Sequence, residues 1–201
     1  MFRTERYPRP WRLTGLRPPP RIETERLVLR CWDPADARLF ASAFRASREH
    51  IGAWIPPAWD EPTELSGITQ RLEQFRDEFH AGNGFVYAIL DPAEAEVLGE
   101  GGLMPRLGKG ALEIGYWIHV GHVGRGIATE TTHALTRAAL ALPEVERVEI
   151  HCDPANGPSA AVPHKLGYRL TDPPDSDDTL VFKLESVGEL VDPGTGERRD
   201  R

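Results

Sequence analysis

Val123-Gly124-Arg125-Gly126-Ile127-Ala128-Thr129-Glu130 is the stretch on which the reading of this chain turns. It follows an apolar run over residues 114–120 and opens a helical pattern that continues to about residue 142. Glycines there let a ligand approach the backbone closely. The start of the following helix offers unpaired N–H groups and a partial positive charge, which suits a phosphate. The glycine spacing is too short for a dinucleotide fingerprint, and no Gly-Lys-Ser/Thr follows, so neither common nucleotide loop is present.

Working outward, Leu27, Leu29 and Cys31 alternate with Arg26, Val28 and Arg30, the pattern of a half-buried strand. Asp33-Pro34-Ala35-Asp36 reads as a capped helix start, with the helix running to about residue 46. Residues 51–60 form a loop with two Trp and two Pro, and a second helix starts at Pro62. Its stripe is Leu65, Ile68, Leu72, Phe75 and Phe79, and Gly82-Asn83-Gly84 ends it. Strands are predicted over residues 85–90, 97–104, 111–120, 147–152 and 179–184, with a short helix over 158–166. This order gives an α+β or mixed α/β layer, not a doubly wound sheet.

The chain of 201 residues has 24 Lys+Arg against 31 Asp+Glu, a formal charge of −7. That balance argues against DNA or RNA as a partner, which a basic face would favour. Cys31 and Cys152 make no disulfide framework, and no spacing of His, Cys, Asp or Glu resembles a metal site. No apolar run is long enough for a membrane span, and the N-terminus lacks a signal-peptide core, so a cytoplasmic protein is expected. Residues 1–21 are rich in Arg and Pro and read as a loosely ordered arm, 22–185 as one domain, and 186–201 as a flexible tail.

Three blocks stand in order: Leu112-Glu113-Ile114-Gly115-Tyr116-Trp117-Ile118, the glycine loop, and Asn156-Gly157-Pro158-Ser159 followed by Lys165-Leu166-Gly167-Tyr168. Together they resemble the GNAT superfamily of acyl-CoA-dependent N-acyltransferases. The opening RIETERLVLR (21–30) and EIGYWI (113–118) look most like its RimJ/RimL-like branch, which acetylates ribosomal-protein N-termini. The resemblance spans residues 21–184. It implies an α+β GNAT-like fold: a central mixed, mostly antiparallel, splayed sheet with helices on both faces. It also implies acetyl-CoA as acyl donor, without a metal, and a primary amine as acceptor, from a protein N-terminus or a small molecule. A homodimer is compatible with it. The open alternative is a non-catalytic acyl-CoA-binding or sensing protein on the same fold.

In the family the loop pattern is Gln/Arg-x-x-Gly-x-Gly/Ala, which maps here onto Val123, Gly124, Arg125, Gly126, Ile127 and Ala128, with Thr129 next and Val123 replacing the polar residue. The preceding strand bulges and splays in the family, and Ile118, His119 and Val120 map there. Asn156 resembles the residue that bonds the pantetheine arm, and Ser159 the one facing the CoA sulfur, hence general acid or thiol-orienting hydroxyl. Pro163 departs from the family, so it should lie in the first turn of its helix or kink it.

The chemistry needs a neutral amine, N–H donors for the oxyanion, and a proton for the departing thiolate. Backbone N–H groups at Ile118 or His119 are the oxyanion candidates, and Glu113 and Glu100 the candidate bases. Trp54, Trp59, Asp60, Glu61, Phe85 and Tyr116 are expected to line the acceptor cleft, since carboxylates beside aromatics suit a cationic amine.

Overall fold

The computed structural model describes residues 16–54, 63–171 and 179–195. Its first strands, β1 (Arg21–Glu23) and β2 (Val28–Cys31), form a hairpin. The Asp33 side chain accepts Ala35 N–H at 2.8 Å, and Asp36 returns the favour to Asp33 N–H at 3.0 Å. This capping box sets a 3-10 turn (Pro34–Asp36) that runs into α1 (Ala37–Gly52). α1 extends past the expected residue 46 because its buried stripe continues through Ser47 and Ile51. The polar Ser47 hid that continuation.

Helix α2 (Leu65–Ala81) buries Ile68, Leu72 and Phe79 and ends at Gly82, in the left-handed region. Its first residue lies three beyond the expected Pro62, which is outside the described residues. Next come β3 (Phe85–Leu90), β4 (Val97–Met104), β5 (Ala111–Ile118), α3 (Ile127–Leu140), β6 (Arg147–Cys152), α4 (Gly157–Lys165), β7 (Arg169–Leu170) and β8 (Leu180–Leu184). β1 and β7, of three and two residues, are too short to give a period and were not foreseen.

The sheet order is β1-β2-β3-β4-β5-β6-β8-β7, and every neighbouring pair is antiparallel except β5–β6. α1 and α2 cover one face through Phe40, Ile51, Ile68 and Leu72, while α3 and α4 cover the other through Leu135 and Val162. The expected α+β sheet with helices on both faces is therefore what forms.

β4 carries the bulge. Pairing runs Ile89 to Gly99 and then Leu90 to Val97, so Leu98 is extra. The expected bulge on β5 is absent from its ladder with β4, which is continuous from Met104–Glu113 to Gly99–Ile118. The bulge turns Val97 toward α1 and Leu98 toward the α3 face. β5 and β6 pair only at Ala111–Arg147, Leu112–Val148 and Glu113–Glu149, then diverge.

Described parts of both chain ends dock on this body. Leu16 is 1% exposed, and Tyr87 Oη donates to the Pro19 carbonyl at 2.9 Å. Leu190 is 2% exposed, and Val191 N–H reaches the Leu166 carbonyl at 3.1 Å. A few apolar residues in polar surroundings anchor these segments, which composition alone does not reveal.

A Cβ on Gly99 would lie 2.2 Å from the Trp117 carbonyl oxygen. Gly99→Ala is therefore expected to destabilise the fold by about 1–3 kcal/mol, read as a lower midpoint in urea; an unchanged midpoint would mean β4 and β5 do not approach this closely.

Candidate active site

Where β5 and β6 part, a cavity of about 540 Å³ opens. Tyr116, Trp117 and Ile118 of β5 form one wall, and Cys152 and Asp153 at the end of β6 the other. The glycine loop and first turn of α3 close one end, with Asn156 and Ser159 of α4 beside them. His50, Ile51 and Trp54 bring the end of α1 to the rim.

The α3 end is rich in donors. Gly126 is its N-cap, at φ 80° and without a side-chain cap, and the first helical bond is Glu130 N–H to Gly126 O at 3.0 Å. The N–H groups of Ile127, Ala128 and Thr129 thus have no partner within the helix, and all three residues line the cavity. Val123 lines it too, without the polar side chain of the family pattern.

Along β5 the ladder settles which N–H groups face the gap. His119 N–H donates to the Leu98 carbonyl at 2.8 Å. Antiparallel alternation then turns the Ile118 N–H away from β4, toward the side from which β6 has diverged. Of the two oxyanion candidates, His119 is therefore excluded, since its donor is spent. Val120 N–H is likewise taken, by Ser47 Oγ at 3.1 Å, and neither His119 nor Val120 lines the cavity. Arg125 is also outside the wall, with its Nη1 3.4 Å from His122 Nδ1.

Asn156 caps α4, its Oδ1 accepting Ser159 N–H at 3.1 Å. The capping role thus belongs to Asn156 and leaves the Ser159 hydroxyl for other work. Pro163 neither lies in the first turn nor breaks α4. Lacking an N–H, it leaves the carbonyl four residues back, that of Ser159, without its helical donor. Tyr116 Oη supplies one at 3.2 Å and lies 3.3 Å from Ser159 Oγ. Burial pushes the Tyr116 phenol well above its usual range, so it keeps its proton. Tyr116, expected in the acceptor cleft, lines the cavity and also braces Ser159.

The two candidate bases separate clearly. Glu113 is 2% exposed, Arg106 holds both its oxygens, and it does not line the cavity. A carboxylate engaged in this way is a structural ion partner rather than a base. Glu100 of β4 does not line the cavity either; it is 1% exposed and sits opposite Trp117, which does. Its Oε2 accepts Trp32 Nε1–H at 3.0 Å, while its Oε1 and the Trp117 indole N–H have no hydrogen-bond partner. Burial raises its pKa to about 7, against the opposing pull of the Trp32 hydrogen bond and of Arg71.

Phe85 is fully buried against Phe79 and does not reach the cavity, a correction to its expected substrate role. Of the other cleft residues, Trp54 lines the rim, and Trp59, Asp60 and Glu61 lie outside the described residues. His50, His122, Cys152 and Lys165 line the cavity unforeseen. Cys152 had the pattern of a core residue and is one, at a place where the core borders the gap. Among the described residues no group of three His, Cys, Asp or Glu could hold a metal, and no helix is long and apolar enough to cross a membrane.

Residues 26–169 match the model of the acetyltransferase (GNAT) domain. The chain belongs to the GNAT acetyltransferase family. It is an acetyl-CoA-dependent N-acetyltransferase. Among curated relatives is the [ribosomal protein uS5]-alanine N-acetyltransferase of Escherichia coli, 26% identical over 153 residues, which cover 75% of this chain and 79% of the relative. Solved structures of like fold include Mycobacterium smegmatis RimJ in complex with CoA-disulfide (TM-score 0.69, 21% identity, 80% of this chain and 82% of that one). Another is RimL, a ribosomal L7/L12 α-N-protein acetyltransferase, in complex with coenzyme A (TM-score 0.72, 16% identity, 82% of this chain and 97% of that one).

The residues present fit acetyl-CoA. An uncapped helix start suits its phosphates, and a strand edge facing a gap suits its amide-bearing arm. Gly126→Val would force a β-branched residue to φ 80°, a strained backbone although its Cβ would meet Arg26 Nη2 only in ordinary contact at 3.5 Å. The folded variant is expected to lose most acetyl-CoA affinity by calorimetry; unchanged affinity would make the loop a turn and nothing more.

Proposed function

We propose that the acceptor is the α-amino group of a protein N-terminus, attacking the thioester directly in a ternary complex. The name of the curated relative, an alanine N-acetyltransferase of a ribosomal protein, supports this choice. The same relationship supports the cytoplasm as the site of action, within a single acetyltransferase domain over residues 22–185. The observation that carries the reading is the convergence on one gap of the Ile118 N–H, the Ser159 hydroxyl and the uncapped start of α3.

Each group has a defined task. Acetyl-CoA supplies an activated acetyl group with a thiolate leaving group. The first turn of α3, with Val123, Gly124 and Gly126, binds the phosphates, and Asn156 orients the arm. Ile118 N–H donates to the carbonyl oxygen as negative charge develops on it. The nitrogen lone pair forms the new C–N bond, Ser159 Oγ–H gives its proton to sulfur as the C–S bond breaks, and the proton lost by the amine, returned by way of Glu100 and solvent, restores the hydroxyl. Glu100 does not itself line the cavity, so the proton lost by the amine reaches it by a water relay past Trp117. An α-amino group has a pKa near ~8, so about a tenth is neutral at pH 7 and a base of matched pKa suffices.

The two departures that would favour a non-catalytic binder leave this arrangement intact. Val123 still lines the cavity, and Pro163 leaves α4 continuous from Gly157 to Lys165.

Ser159→Ala is expected to lower turnover at saturating acetyl-CoA by about 10²-fold or more, with little change in melting temperature because Asn156 holds the cap. A lowered melting temperature with intact turnover would give the hydroxyl a structural role only. Glu100 is ionised above its pKa of about 7, so kcat/KM should rise with pH through that value, and Glu100→Gln should flatten the limb. The sign for stability is opposite. A carboxyl whose folded pKa is raised favours the fold fully below its ordinary pKa, and the contribution is lost as pH rises through 7. The melting temperature of the wild type should therefore fall between pH 5 and 8 relative to Glu100→Gln; parallel curves in both measurements would remove Glu100 from the mechanism.

A further inference from the structure

The turn joining β1 to β2 reaches the phosphate loop, and nothing in the chemistry above uses it. Four contacts from this turn converge on the Glu130 carboxylate, in the first turn of α3. Thr24 Oγ1 donates to Oε1 at 2.6 Å and Arg26 N–H to the same oxygen at 3.2 Å. Arg26 Nε donates to Oε2 at 2.8 Å, with Nη2 2.5 Å away. The fifth contact holds the loop itself: Arg26 Nη1 donates to the Arg125 carbonyl at 3.1 Å. Thr24 is in turn fixed by its own hairpin, its Oγ1 accepting Leu27 N–H at 3.0 Å.

A carboxylate in the first turn of a helix is drawn to that helix's unpaired N–H groups. At α3 this attraction would bring Glu130 into competition with phosphate for the donors of Ile127, Ala128 and Thr129, and like charges would repel. Instead both Glu130 oxygens are occupied from the other side, and its charge is offset by a guanidinium. That guanidinium lies against the side of Gly126 where a side chain would stand, and Arg26 does not line the cavity.

We infer that Thr24 and Arg26 are positioning residues for acetyl-CoA: they hold Glu130 away from the start of α3 and fix the Arg125 carbonyl, leaving the N–H groups to the phosphates. The inference rests on the assignment of acetyl-CoA to this loop. It gives the Thr24-Glu25-Arg26-Leu27 segment a task besides starting a strand.

The test is acetyl-CoA binding by calorimetry, with melting temperature, on the full chain and four variants. Arg26→Ala is expected to weaken acetyl-CoA binding on the order of fivefold or more, the scale of a partly exposed charged contact. Arg26→Lys, which keeps the charge but loses the fork, falls between it and the wild type. Thr24→Val weakens binding in the same direction and serves if Arg26→Ala does not fold. The deciding variant is Arg26→Ala combined with Glu130→Gln, in which most of the lost affinity returns because the freed side chain no longer carries charge. A fold-stabilising role alone would lower the melting temperature without this rescue. The inference is overturned if folded Arg26→Ala binds like the wild type, or if its loss is not rescued, which would make Arg26 a direct phosphate ligand. Failure of the wild type to bind acetyl-CoA would overturn the loop assignment itself.

Discussion

Everything at the site depends on β5 and β6 pairing for three residues and then parting. Their common start is pinned, because the Gly110 carbonyl accepts both Glu146 N–H at 2.8 Å and Arg147 N–H at 3.0 Å. Beyond Glu113 each strand is committed to its other neighbour. β5 stays with β4 to the Leu98–His119 bond, and Val120 is tied to Ser47 on α1. β6 stays with β8 from Val148 to Cys152. The gap is thus a consequence of two well-made ladders, and its price is a row of strand edges that face each other without pairing. Backbone donors and acceptors require partners, so such an edge is a template for an extended, amide-bearing ligand.

The groups around the gap share a second property, polar atoms placed by local irregularities. Pro163 frees one carbonyl of α4, and Tyr116 of β5 crosses to it, bracing Ser159. The bulge at Leu98 reverses the alternation of β4 before Glu100, so that this carboxyl faces Trp32 and Trp117. Glu100 Oε1 and the Trp117 indole N–H then remain buried without partners, an arrangement that costs stability. The first turn of α3 shows the same economy, with Glu130 turned outward to Arg26 and Thr24 while the helix start stays uncapped.

The sequence made much of this legible. The stripe of α2, the capping box at Asp33 and the glycine loop are local patterns, and they form where local physics puts them. The sheet with helices on both faces and the places of Asn156 and Ser159 in the wall followed from three blocks in order. What failed depends on partners distant in sequence or on register. Glu113 and Glu100 are equivalent as isolated strand carboxylates; Arg106, arriving from the preceding turn, separates them. Whether Ile118 or His119 faces the gap is set by which residue of β4 stands opposite, and a one-residue bulge decides that. Phe85 looked like a cleft aromatic, yet β3 is buried along its whole length, so no outward side exists for it.

The central claim is that the opening between β5 and β6, ending at the start of α3, holds the acyl donor. Amide hydrogen exchange with and without acetyl-CoA, resolved to single residues, tests it directly. Slowed exchange is expected at Ile118 and at Ile127, Ala128 and Thr129, with little change along the β2–β3 ladder on the far side of the sheet. Protection of other segments, with Ile118 and the start of α3 exchanging as before, would contradict it.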